Sequence, residues 1–260
     1  MSSQANKDGT VGKALEILDD VAAFGRPVRF NDLLADSKHP KATLYRLMQT
    51  LTNQGMLDYN PDHQTYSPGV RLVRLAHSAW QQSSLAPIAK IAIDKLSTGL
   101  GQTIHLAQLD NGQVLYVDKR DANRPIEMFS QAGKIGPGYC TGVGKAMLAF
   151  LDDDLRAKAL AQQAFYAFTD NTITDCETLN AELSVIRKTG VSFDREEHEP
   201  SIICVAVPIL ALSGRVLGGL SVTSSTNRTN LDELKEFAPQ MKRAAKEIAT
   251  ASENWQFPNH

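Results

Sequence analysis

The chain has 260 residues, enough for one large or two ordinary domains at roughly 150 residues each. Hydrophobic residues make up 42% and charged residues 22%, the composition of a folded chain rather than a disordered one. Lys and Arg number 27 against 29 Asp and Glu, for a formal net charge of -2; this excludes a generally basic nucleic-acid coat and a strongly acidic tail, but not a local basic surface.

From Lys13 to Phe24 the residues Leu15, Ile17, Leu18, Val21 and Ala22 form a helical stripe closed by Gly25. Pro27 and Val28 are too short to form a sheet alone. A second helix is expected over Asn31–Asp36, with Asn31 as N-cap and Leu33 and Leu34 inward. Asp36 to His39 form a turn, and Pro40 suits the first turn of a third helix, which runs to about Gln54 and stops at Gly55. On that helix Leu44, Leu47, Met48 and Leu51 share the inward face. Ala42, Tyr45, Arg46 and Gln49 share the opposite face, with Lys41 and Thr43 at its exposed start. Met56 to Tyr59, a turn at Asn60 to His63, and Gln64 to Ser67 read as a small hairpin. This is the order of a winged helix-turn-helix, assigned to residues 1–69.

Val70 to Trp80 returns to helical spacing, and Gln81 to Ser84 is a polar break, so residues 70–84 read as a linker helix. Beyond it, residues 85–260 alternate strands and helices. Thr103–Leu109, the turn Asp110-Asn111-Gly112 and Gln113–Lys119 form a hairpin. A glycine-rich approach from Gly138 leads into an apolar helix over Ala146–Leu151. Thr174 with Glu177 reads as a capping box before a helix ending at Gly190. Cys204–Leu212 and Arg215–Thr223 form a second hairpin, and Asn230 with Glu233 opens a final helix to about Ala251. The expected class is α+β, built on an antiparallel sheet. No fixed long period marks a repeat protein.

The opening MSSQANKDGT is polar and lacks the apolar stretch of a secretory signal. No apolar run approaches the ~20 residues of a membrane-spanning helix. Cys140, Cys176 and Cys204 make no CxxC pair, which excludes a disulfide framework or a closed Cys-rich zinc site. These features point to a cytoplasmic protein with reduced thiols and no membrane partner.

Counted by segment, residues 1–78 carry nine Lys and Arg against eight Asp and Glu, and residues 79–260 carry eighteen against twenty-one. Between Asp36 and Asp58 there is no acid, while Lys38, Lys41 and Arg46 supply positive charge. Phosphates require such cations, and base edges require the reach of Tyr45, Arg46 and Gln49. A solvated amphipathic helix would explain the face alone, but the following wing and the acid-free stretch favour DNA binding.

Three other constellations are weighed. Gly138 to Lys145 fails as a phosphate loop, because Gly138 is one residue too far, Tyr139 holds the glycine position and Ala146 replaces the metal-binding hydroxyl. The glycine-rich segment remains either a carboxylate cradle or a tight turn before a packed helix. The acidic run Asp194-Arg195-Glu196-Glu197-His198-Glu199 and the cysteines permit an enzyme acting on a small carboxylate with Cys140 or Cys204 as nucleophile, although no base or orienting partner is assigned. His105, His198 and the cysteines permit a metal sensor, but without ligand spacing.

Taken together, the motifs resemble those of the IclR family of transcriptional regulators. The segment Pro40-Lys41-Ala42-Thr43-Leu44-Tyr45-Arg46-Leu47-Met48-Gln49-Thr50-Leu51, then Gly55 and Tyr66-Ser67-Pro68-Gly69, carries the N-terminal likeness. Cys140-Thr141-Gly142-Val143-Gly144-Lys145-Ala146, Phe193-Asp194-Arg195-Glu196-Glu197, Cys204-Val205-Ala206-Val207-Pro208 and Leu220-Ser221-Val222 carry the C-terminal one. The resemblance implies a winged helix-turn-helix joined by a helix to a GAF-like effector domain. It implies a repressor of a catabolic operon that binds double-stranded operator DNA, as a homodimer or a dimer of dimers, under control of a small organic acid or related metabolite. It also implies effector contacts from Gly142, Val143, Asp194, Cys204, Ser221 and Thr223, with Met128 and Ile202 as apolar walls. Ala42 departs from the family's usual Ser, and Pro200-Ser201 replaces its glycine-containing approach to the Cys strand. Nothing in the residue pattern or the resemblance calls for a catalytic residue, a bound metal or a cofactor.

Overall fold

A computed structural model describes residues 9–253; the polar opening, residues 1–8, and residues 254–260 lie outside the described part. The chain divides into two compact units, with the boundary between Gln82 and Ser83.

In the first unit, α1 (Gly9–Ala23) leads through Gly25, at a φ of 63°, to the short strand β1 (Val28–Arg29). Then come α2 (Phe30–Asp36), α3 (Lys41–Asn53) and the hairpin strands β2 (Leu57–Asn60) and β3 (Thr65–Pro68). The strands order as β1-β3-β2, so Val28 and Arg29 join the wing by pairing with Tyr66 and Thr65. That pairing corrects the start of α2. Extended backbone runs through Arg29, which stands at the N-cap without a side-chain cap, and Asn31 lies inside the helix. Ile17, Leu18 and Val21 pack with Leu33, with Leu44, Leu47, Met48 and Leu51, and with Leu57 and Tyr66 as one core. The helix α4 (Val70–Ser83) follows, and none of its residues from Val70 to Gln82 is buried. It runs through Gln81 and Gln82, where a break is expected from polarity, because Gln is a good helix former.

In the second unit, α5 (Ala86–Leu100) is a helix that the sequence reading omits, although Pro87 opens it and Gly101 closes it in the left-handed region. Then β4 (Thr103–Asp110) and β5 (Gln113–Arg120) pair across Asn111-Gly112, both at positive φ as a tight hairpin turn requires. Next are β6 (Ile135–Gly136), α6 (Gly142–Leu148) and α7 (Asp153–Ala161), the last also absent from the sequence reading. α6 starts four residues before the expected apolar helix, and its glycines sit inside it. They are needed there because a Cβ on Gly144 would collide with the Gly138 carbonyl oxygen. α8 (Cys176–Thr189) is capped by Asp175, which accepts from the Thr178 N–H, one residue on from the expected Thr174 box.

The strands β7 (Ser192–Arg195), β8 (Ile202–Leu210) and β9 (Val216–Ser225) complete the sheet. Among the described residues it has six antiparallel strands in the order β6-β5-β4-β9-β8-β7. Asn230 caps α9 (Leu231–Lys235) as expected, accepting from the Glu233 N–H at 3.0 Å. The single final helix is nevertheless two, since Pro239 starts α10 (Ala238–Ala251) afresh. Helices α5 and α10 pack together, and α10 lies along β8 and β9. Val143, Ala146 and Met147 of α6 pack with Ala107 of β4 and Ala206 of β8. Side chains alternate along each strand, so the α6 face also receives His105, Ser221, Thr223 and Cys204.

Candidate functional site

The first unit places its chemistry on the outside of α3. Lys41, Ala42, Tyr45 and Arg46 are exposed, Thr43 and Gln49 are half-buried, and Lys38 is exposed in the preceding turn. Among the described residues Lys38, Lys41 and Arg46 form no ion pair with an acid, so their charges are open to solvent. The turn before α3 is tethered to α1 by His39, whose Nε2 lies 3.2 Å from Glu16. Tyr45 meets the Phe30 ring edge-on at 5.9 Å, and Gln49 hydrogen-bonds Tyr66 of the wing. α3 is thus braced on both sides, while its cations stay exposed.

The second unit places its chemistry inside, in two cross-strand rows. Thr103, Thr223, Cys204 and Asp194 stand side by side on β4, β9, β8 and β7, and His105, Ser221, Ala206 and Ser192 form the next row. Above them α6 comes so close that a Cβ on Gly142 would collide with Cys204 Sγ. The cavity so enclosed is lined by Gly142, Val143, Asp194, Ile202, Cys204, Ser221 and Thr223. Met128 is buried in the adjoining segment but does not line it. His105, Tyr116, Ser130, Thr141, His198 and Glu199 complete the lining. The sequence offers His105 and His198 only as metal ligands; the strand alternation that turns His105 inward with Ala107 is the signal that would have placed it here. Its volume is about 30 Å³, room for a water molecule or two.

Burial governs the charges around the cavity. Asp194 is pushed up to about 7, by burial first and then by the neighbouring charge of Glu197, whose N–H donates to Asp194 Oδ1 at 2.8 Å. Behind it the fully buried Lys145 of α6 pairs with Glu197. Lys145 Nζ also lies 3.7 Å from Glu182 of α8, which Arg195 meets at 2.8 Å. This network joins α6, β7 and α8 directly behind the cavity. At the mouth, the Phe129 N–H donates to both Glu199 carboxylate oxygens at 3.1 Å. The His198 ring is flanked edge-on by Phe129 and Phe168. Burial raises the Cys204 and Cys140 thiols far above their ordinary range, which keeps them protonated and unfit as nucleophiles. Among the described residues no group of three or more His, Cys, Asp or Glu could hold a metal ion, and no helix is long and apolar enough to cross a membrane.

Two family models cover the chain: the IclR helix-turn-helix domain matches residues 10–61, and the Bacterial transcriptional regulator IclR C-terminal domain matches residues 77–250. The chain belongs to the IclR family of transcriptional regulators. It is 31% identical to the HTH-type transcriptional regulator KdgR of Escherichia coli over 92% of each chain. It superposes on the crystal structure of the Thermotoga maritima IclR with a TM-score of 0.73 at 29% identity, over 93% of this chain and 97% of that one. It shares its fold with an IclR homologue of Microbacterium hydrocarbonoxydans crystallised with 4-hydroxybenzoate, with a TM-score of 0.79 at 20% identity, over 94% and 98% of the two chains. As an IclR-family member the chain is a DNA-binding transcriptional regulator with an effector-binding C-terminal domain, and not an enzyme.

Proposed function

We propose that this regulator represses a catabolic operon, reading operator DNA with α3 and releasing it when a small organic acid or related metabolite enters the cavity between α6 and the sheet. Lys38, Lys41, Ala42 and Thr43 meet the phosphate backbone, and Tyr45, Arg46 and Gln49 meet base edges. Gly142, Val143, Asp194, Cys204, Ser221 and Thr223 hold the effector, and Ile202 bounds it with apolar surface, the expected second wall, Met128, lying outside the lining. Residues 1–69 act as the reading head, residues 70–84 as the connector and residues 85–260 as the effector and assembly domain. The single observation that carries the effector reading is the pair of polar rows enclosed beneath α6, where a buried sheet face would ordinarily be apolar. The 4-hydroxybenzoate complex of the Microbacterium homologue lends it support.

The protein works in the cytoplasm as a homodimer, or as a dimer of dimers, with no membrane partner. Val70 and Val73 of α4 are 71% and 67% exposed, and Val11 and Leu15 of α1 are exposed as well, apolar surface that a second copy would cover. Two α3 helices then enter successive major grooves, with half-site centres ~34 Å apart or a multiple of that. An effector shifts the population only by favouring one arrangement over the other. The test is binding to the gene's own upstream DNA at low salt, combined with a thermal-shift screen of small acids, aldehydes and sugar acids. The expected outcome is specific binding, and a stabilising acid that lowers operator affinity. No binding with or without any acid that raises the melting temperature would overturn the proposal.

A further inference from the structure

On the cavity face of β4, His105 is buried with its ring edge-on to Tyr116 at 5.4 Å. Its Nδ1 lies 3.3 Å from Thr223 Oγ1 and 3.4 Å from Ser221 Oγ, both on β9, and its Nε2 lies 2.9 Å from Ser130 Oγ. Burial, and then the charge of Lys119, lowers its pKa to about 3. The ring is therefore neutral and presents one N–H and one lone pair at fixed positions.

The partners on its two sides differ in kind. Ser221 and Thr223 belong to a strand in the middle of the sheet, whereas Ser130 comes from residues 121–134, which carry no helix or strand. At about 30 Å³ the cavity falls well below the roughly 300 Å³ of a small-molecule site, so a metabolite can enter only if a wall gives way. The irregular segment yields before the paired strands do. Its withdrawal takes Ser130 from Nε2, and a buried imidazole nitrogen left without a partner is costly. The incoming molecule must therefore offer Nε2 a hydrogen-bonding group, and a hydroxyl, which both donates and accepts, serves either tautomer of the ring. No Lys or Arg lines the cavity, so no cation there competes with His105 for that group.

We propose that His105 is a specificity-determining residue of the effector cavity: its Nε2, bound by Ser130 in the closed cavity, takes a hydroxyl of the effector, so that the site selects hydroxylated small acids over the same acids without hydroxyls. This rests on the effector reading given above.

The test is calorimetric titration of the full-length protein with two matched pairs, D-glycerate against propionate and D-gluconate against hexanoate. At least one hydroxylated member should bind about tenfold or more tightly than its counterpart, the worth of one well-made hydrogen bond. His105→Phe keeps a ring against Tyr116 without hydrogen bonding and should bring that ratio near one. His105→Gln, which carries both a donor and an acceptor, should restore part of it. Ser130→Ala removes the competitor and should tighten the hydroxylated member several-fold. If His105→Phe fails to fold, the Gln and Ser130→Ala variants decide. Equal binding of both members of each pair, no binding of any of the four acids at about 10 mM, an unchanged ratio in His105→Phe, or unchanged affinity in Ser130→Ala would overturn the proposal. Operator release by an unhydroxylated acid would sink the selection by His105 and leave the effector reading standing. Acid binding unaffected by both His105→Phe and Asp194→Asn would sink the two together.

Discussion

On α3 the apolar residues Leu44, Leu47, Met48 and Leu51 are buried and the chemically expressive ones, Lys41, Tyr45 and Arg46, face solvent. In the sheet of the second unit the expressive residues Asp194, His105, Ser221 and Thr223 are themselves buried. The first arrangement costs little, because an exposed cation keeps its hydration until phosphate replaces it. The second must satisfy its polar groups internally; the hydroxyl shell around His105 and the ion network behind Asp194 do most of this, while Ser192 Oγ, Glu197 Oε2 and Ser224 Oγ stay buried without a partner. One unit can therefore lose its function without losing stability, while in the other the two are coupled.

The largest expected effect tests that coupling. Lys145→Met leaves buried Glu197 with only the half-exposed Arg195, 3.9 Å away, as counter-charge and should destabilise the second unit by about 3 kcal/mol in urea unfolding; the double variant Lys145→Met/Glu197→Leu should recover most of the loss. If the single variant is as stable as wild type, the buried network does not support the site.

Next is Gly142→Ala, whose methyl would collide with Cys204 Sγ. Pushing α6 off the sheet should cost about 1–3 kcal/mol and abolish effector binding, which thermal melts with and without a bound acid would reveal. The matching experiment in the first unit is Arg46→Ala, which should weaken specific operator binding by about 1–3 kcal/mol with an unchanged melting temperature. Lys41→Ala should act on all sequences alike and lower the salt slope by about one. Equal, negligible effects of these two changes in a binding titration would remove α3 as the reader.

The two buried groups Asp194 and His105 also act, in opposite senses that largely cancel in the wild type, on the pH dependence of stability. Asp194 holds its proton more tightly in the native state, up to about 7. Its contribution is thus complete below about 4, the ordinary carboxylate value, and is lost as pH rises through 7. His105, lowered to about 3, acts in the opposite sense: it penalises the native state increasingly as pH falls from about 6.5. Asp194→Asn should therefore make the melting temperature climb more steeply between pH 4 and 7 than in wild type, and His105→Gln should flatten it. Parallel profiles for all three proteins would show that neither group titrates differently on folding.

The two units were also unequally legible. The α3 face could be read directly, since an exposed face declares itself through period and charge, and Asp36 and Asp58 mark the limits of its acid-free stretch. In the second unit the hairpins were legible from Asn111-Gly112 and Ser213-Gly214, but α5 was not, because its alanines carry little hydrophobic contrast. The cavity could be assembled only through the family likeness. Strand pairing across more than a hundred residues sets His105 beside Ser221, and no local pattern encodes that register. Cap positions slipped by one residue, from Thr174 to Asp175, because two adjacent residues can each serve as the cap and only the backbone decides between them.

The register has a further consequence for how this molecule can change. On β4, β8 and β9 the cavity residues alternate with the core residues Ile104 and Leu106, Ile203 and Val205, Leu220 and Val222. The cavity lining and the apolar core are thus inscribed on the same strands at positions of opposite parity. On the proposed effector reading, a library that varies His105, Cys204, Ser221 and Thr223 while holding their neighbours constant would alter ligand choice while the apolar half of each strand is kept, at the stability cost that the burial of the varied residues imposes. The sheet works as a keyboard in which alternate keys can be retuned while the keys between them hold the frame.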